Sequence, residues 1–120
     1  MFVKNLKDCE EIIVADKIIL REFLHPDKDN INIRYSIAHA KVKSGDASSP
    51  HKIKSTEVYY ILKGSGIMHI NGESKEVKEG YAIYIPPNAV KYIRNTGNEE
   101  LEFLCITDPA WRLEDEVKIE

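Results

Sequence analysis

A chain of 120 residues, 42% hydrophobic and 31% charged with a net charge of −3, has the make-up of one globular domain with a small core. Its slightly acidic balance and the absence of a basic stripe argue against nucleic acid as a partner. Charges at Lys4, Lys7, Asp8, Glu10 and Glu11 exclude the apolar core of a signal peptide, and no apolar run nears the ~20 residues that span a bilayer. The two cysteines, Cys9 and Cys105, form no CxxC pair, and free thiols in a reducing cytoplasm are the expectation.

The predicted elements are short and β-rich. Residues 10–15 read equally as a strand or a short helix. Residues 18–24 form a strand that His25-Pro26 closes. Residues 36–42 alternate Ala38 and Ala40 with His39, so that inward alanines would turn His39 outward or into an interface. In residues 57–62, Glu57, Tyr59 and Ile61 share one face, and Val58, Tyr60 and Leu62 share the other. Both faces are apolar, so one should line the interior and the other needs cover from N-terminal strands or a second subunit.

Asn71-Gly72 predicts a type I′ hairpin turn after residues 67–70, because both residues tolerate a positive φ. His69, beside this turn, is expected to face solvent. Pro86-Pro87 must end the strand 81–85, since proline cannot donate to a ladder. Lys91, Ile93 and Asn95 share a face, as do Leu101, Phe103 and Cys105. Residues 108–112 are expected to form a packed turn with a buried Trp111; closure over the mouth of the domain is the alternative. The charged tail from about Glu114 is expected to fray. Many short strands with frequent turn signals indicate an all-β sandwich or barrel.

Two spaced motifs organise the middle of the chain. Gly45, His51, Ile53, Glu57 and Gly64 follow the spacing G-x5-H-x-I-x3-E-x6-G, and Gly80, Pro86, Asn88, Lys91 and Asn95 follow G-x5-P-x-N-x2-K-x3-N. This pattern resembles the paired signatures of the cupin superfamily, specifically its small single-domain members of unassigned function. Gly45, His51, Glu57, Gly64, Gly80, Pro86 and Asn95 match. The resemblance covers about residues 36–106. It implies a small antiparallel β-barrel of jelly-roll type filling residues 1–120 as one domain, with N-terminal strands within 1–30. Asn88 replaces a turn glycine and suits the same positive φ.

In the family, three histidines and a glutamate bind a divalent metal inside the barrel. Carried over by position, His51 and Glu57 remain, whereas Ile53 and Lys91 replace two histidines. Isoleucine offers no donor. Holding Lys91 neutral at pH 7 costs about 4.6 kcal/mol. Charged and about 4 Å from a divalent ion, it is repelled by roughly 8 kcal/mol at an effective dielectric of 20. Cys105 is the one candidate substitute, giving His51, Glu57 and Cys105 as a reduced metal set; the competing reading makes Cys105 a small core hydrophobe. The balance favours a metal-free cluster of His51, Glu57 and Lys91, in which Lys91 pairs with Glu57.

The expected function is binding of a small, anionic molecule in the cavity. Proton-transfer chemistry of isomerase or epimerase type is compatible with it, and iron-oxygenase chemistry is disfavoured by the lost ligands. Glu57, His51 and Lys91 are the catalytic candidates; Lys91, Tyr59, Phe103 and Cys105 are the substrate-binding candidates, with Ile53 as a further wall. The alternatives are a non-catalytic binding module and a metal-dependent enzyme using the reduced set. A homodimer is expected; a membrane or nucleic-acid partner is not.

Overall fold

The computed structural model describes residues 1–119, and its regular structure consists almost wholly of antiparallel strands. They are β1 (Ile12–Val14), β2 (Ile18–Leu24), β3 (Ser36–Val42), β4 (His51–Lys52), β5 (Thr56–Lys63), β6 (Ser65–Ile70), β7 (Glu73–Lys78), β8 (Ala82–Ile85), β9 (Lys91–Asn95), β10 (Leu101–Asp108) and β11 (Val117–Lys118). Single 3-10 turns lie at Leu6–Asp8 and Leu113–Asp115. One sheet runs β1-β2-β3-β10-β5-β8, and the second runs β11-β4-β9-β6-β7.

Local chemistry places the turns as the sequence predicts. Asn71 and Gly72 adopt φ of 49° and 85° and join β6 to β7 in a two-residue hairpin. Asn88 takes the positive φ of 62° after Pro86-Pro87 ends β8. The ambiguous segment at residues 10–15 contains β1, paired along Ile12–Val14 with β2. At the β5–β6 turn Gly64 has φ of 87°, and a side chain there would meet the Glu100 carbonyl at 2.8 Å.

Alternation decides what each strand buries. Glu57, Tyr59 and Ile61 point in from β5, while Tyr60 and Leu62 stay exposed on the outer face. On β3, Ala38 and Ala40 point in; His39 lies on the opposite face yet is also buried, its Nε2 3.1 Å from Glu102 Oε1. Leu101, Phe103, Cys105 and Thr107 point in from β10, and Lys91, Ile93 and Asn95 from β9. The interior between the sheets holds one core, in which Val42, Ile61, Leu101 and Phe103 are fully buried.

The expected antiparallel jelly roll is present, its wall formed by two facing sheets that are not closed into one hydrogen-bonded ring. Edge strands β7 and β8 share no ladder among the described residues. The reason is visible in β7: Glu73, Ser74, Lys75 and Glu76 are exposed, and a charged edge resists further pairing. The C-terminal tail, expected to fray, instead adds β11 to β4 with Val117 opposite Lys52 and Lys118 opposite His51. Residue 120 lies outside the described residues.

Candidate functional site

One end of the interior is polar, and strand register builds it. On the first sheet Glu57 sits opposite Thr107, and Tyr59 sits opposite Cys105. On the second sheet His51 sits opposite Lys91. The Lys91 ammonium crosses between the sheets to within 2.6 Å of Glu57 Oε1, with side chains 1% and 6% exposed. The Thr107 hydroxyl donates to Glu57 Oε2 at 3.3 Å. The Lys91 approach lies off the hydrogen-bond direction, so Oε1 has a charge partner but no directed donor.

Such a pair is costly to break. Removing one partner leaves an uncompensated buried charge, worth about 3–5 kcal/mol. The expected contact between Lys91 and Glu57 is present, with His51 as the cross-strand neighbour of Lys91.

His51 is buried, and its Nδ1 lies 2.8 Å from the Ser49 carbonyl. A carbonyl can only accept, so Nδ1 carries the proton and donates it. In the neutral ring Nε2 is then a bare acceptor. Burial holds the His51 pKa below its ordinary 6.5, and the Lys91 charge adds to this; the Ser49 carbonyl and the Glu116 and Glu57 carboxylates pull the other way. Burial, with the nearby Glu57 charge, pushes both the Cys105 thiol and the Tyr59 phenol well above their ordinary values. At neutral pH the site thus presents an ion pair, a neutral base, a thiol and a phenol.

A cavity of about 20 Å³ opens here, enough for a water-sized occupant. His51, Glu57, Tyr59 and Cys105 line it, together with Thr107, Trp111 and Glu116; Val14, Ile18, Leu20 and Ala38 complete the apolar wall. Lys91 stands one step behind Glu57. Phe103 stands behind Tyr59, with ring centroids 4.6 Å apart, and Ile53 is buried outside the lining. His69 is not part of this region; it stacks on Tyr92 at 4.1 Å.

The sequence did not single out Thr107 or Glu116, and it favoured a buried, packed Trp111. In the structure Trp111 is half-buried and faces the cavity, its indole N–H donating to Glu116 Oε1 at 2.8 Å. The inward alternation of β10 carries the signal for Thr107. Glu116 leaves no such signal, because only the docking of β11 on β4 brings it here.

The donor set does not fit the divalent ion that the signatures imply. Ile53 has no ligating atom, and Lys91 engages the Glu57 carboxylate directly. Among the described residues no three His, Cys, Asp or Glu side chains gather as a metal site, although His51, Glu57 and Cys105 share the cavity wall.

Comparison with known proteins agrees with this architecture. An uncharacterized protein of Methanocaldococcus jannaschii is 42% identical over 104 residues, 86% of this chain and 82% of that one. The oxalate-binding protein of Thermotoga maritima is 37% identical over 105 residues, 87% of this chain and 82% of that one. The crystal structure of a predicted oxalate decarboxylase from Thermotoga maritima superposes with a TM-score of 0.79 at 24% identity, covering 90% of this chain and 99% of that one, a likeness of fold. The cupin domain model matches residues 38–107, which carry β3 to β10 and both signature motifs; on this match and these relatives, the chain belongs to the cupin domain family.

Proposed function

We propose that this protein binds a small anionic molecule at the polar end of its interior, with Lys91 as the anchoring cation. The observation that carries this reading is a fully buried ammonium beside a cavity, held by a carboxylate whose Oε1 lacks a directed donor. An anion entering here can share the Lys91 charge, and a charge-assisted contact in a dry site is strong. The relative named an oxalate-binding protein supports a small carboxylate as the ligand class.

The same groups can move a proton. His51 Nε2 is a bare acceptor, and Glu57 is a second base once the ligand draws Lys91 away. Lys91 would then steady the developing oxyanion. Tyr59 and Cys105, as neutral donors, would orient the ligand, with Phe103 fixing the Tyr59 ring from behind. This reading asks for an isomerase- or epimerase-like step and routes nothing through a metal.

Calorimetric titration with oxalate and longer dicarboxylates tests the binding claim. Saturable binding that Lys91→Met abolishes is the expected result; binding unchanged in that variant would refute Lys91 as anchor. Solvent-deuterium exchange into a bound hydroxy acid separates an enzyme from a binding module.

The functional unit is proposed to be a homodimer. Ile37, Ile106, Val58 and Tyr84 lie side by side across the outer face of the first sheet, and His39, Leu104, Tyr60 and Ala82 form the next row. Lys41 sits opposite Glu102 at the rim, so the face carries both charges and can complement a two-fold copy of itself. Light scattering should give a dimer mass that Tyr60→Asp reduces to monomer. The free thiols Cys9 and Cys105 suit a reducing compartment such as the cytoplasm.

A further inference from the structure

The cavity is too small for any organic ligand at about 20 Å³, so occupation requires part of its wall to move. Most of that wall is strand core. The exception is the C-terminal segment that contributes Trp111 and Glu116.

The segment has a fixed part and a loosely held part. Ala110 is buried, and its N–H donates to the Arg34 carbonyl. The Trp111 N–H donates to Ser36 Oγ at 2.8 Å, and its carbonyl lies 2.6 Å from His25 Nε2. Beyond Arg112 no described residue is buried. Leu113 and Val117 expose their apolar side chains to solvent. The contacts that hold residues 113–119 include the two-residue β11 pairing, the Ile119 N–H to the Pro50 carbonyl, the Trp111 indole N–H to Glu116 Oε1, and the Lys54–Asp115 and Lys118–Asp16 ion pairs. The Lys118–Asp16 pair is exposed on both sides and the Lys54–Asp115 pair on its lysine side, and ion pairs open to solvent contribute little. A segment with so little buried area opens at low free-energy cost.

Its inward group is a carboxylate. With the segment down, the cavity region holds two carboxylates, Glu57 and Glu116, against the single Lys91 ammonium and a neutral His51. An incoming anion meets a net negative charge in a low-dielectric space, where repulsion is strong. With the segment lifted at Arg112, Glu116 leaves, and the remaining charges balance.

We propose that residues 113–119 form an autoinhibitory latch, in which the Glu116 carboxylate holds the mouth of the cavity and an anionic ligand must displace it. The proposal rests on the anion-binding reading above and adds how that site is opened and guarded. Glu116 thereby acts as a selectivity residue: weakly charged or neutral molecules cannot offset its removal, and a small dianion can.

The test uses the full-length chain with oxalate as the probe. Glu116→Gln keeps an acceptor for the Trp111 indole and removes the charge; it should tighten oxalate binding about five- to tenfold. Asp115→Lys turns the Lys54 pair into a repulsion and should accelerate oxalate association. Amide hydrogen exchange gives a readout that a merely structural tail would not move. Saturating oxalate should speed exchange at Ile119 while slowing it in β5 and β10. Oxalate binding that depends on Lys91 but is indifferent to Glu116→Gln, or that protects Ile119, would overturn the latch and leave the binding reading standing. No oxalate binding by either the parent or Glu116→Gln would overturn both together.

Discussion

The two ends of the interior are built by the same strands and treat polar groups in opposite ways. Going along β10, the inward residues run Leu101, Phe103, Cys105, Thr107; along β3 they run Val42, Ala40, Ala38, Ser36; along β5, Ile61, Tyr59, Glu57. Each strand passes from apolar to polar. The apolar end has its own buried polar residue, Asn95, and satisfies it completely. Its amide donates to the Val42 and Glu99 carbonyls, and its Oδ1 accepts from the Gly97 N–H. At the other end Glu57 has one weak hydroxyl donor and an ammonium off the bonding direction. A polar group that serves only the fold is closed by backbone partners. One that is left partly open beside a cavity retains capacity for a ligand.

The largest effect should come from breaking the polar end. Glu57→Gln is expected to destabilise the protein by about 3–5 kcal/mol in urea unfolding, because Lys91 is left buried and uncompensated. The double variant Glu57→Gln with Lys91→Met should recover much of that loss. If the single variant is as stable as the parent, the two ends do not differ as described.

A smaller effect is expected at the apolar end. Asn95→Ala strands the Val42 carbonyl and the Gly97 N–H and should cost about 1–3 kcal/mol. It should leave oxalate affinity unchanged. Altered affinity in this variant would show that the ends are coupled, and would sharpen the comparison by locating where.

The smallest effect is on acid stability. His51 has a folded pKa below its unfolded value of about 6.5, so in between the unfolded chain binds more protons. Its contribution is whole above about pH 6.5 and is lost as pH falls toward the lowered folded value. The parent should lose stability over that window, and His51→Asn should show a shallower slope there. A His51 ring that titrates at or above 6.5 by NMR would contradict its burial beside Lys91.

The fold was legible because its signals are local. Asn71-Gly72, Pro86-Pro87 and Asn88 fix backbone angles by themselves, and period-two alternation sorts Glu57, Tyr59 and Ile61 from Tyr60 and Leu62 without reference to distant residues. The Lys91–Glu57 contact was also foreseeable, since matching positions in two spaced motifs place both side chains in one interior. Other features depend on where separate segments dock. That Phe103 lies behind Tyr59 rather than on the cavity, and that Trp111 and Glu116 line it, follow from how separate strands pack, with β11 settling on β4 to bring Glu116 in. The sequence alone determined which residues face inward on each strand, because backbone geometry has a fixed period. Only the tertiary structure decided which of them meet a cavity, because that depends on long-range packing between strands far apart in the chain.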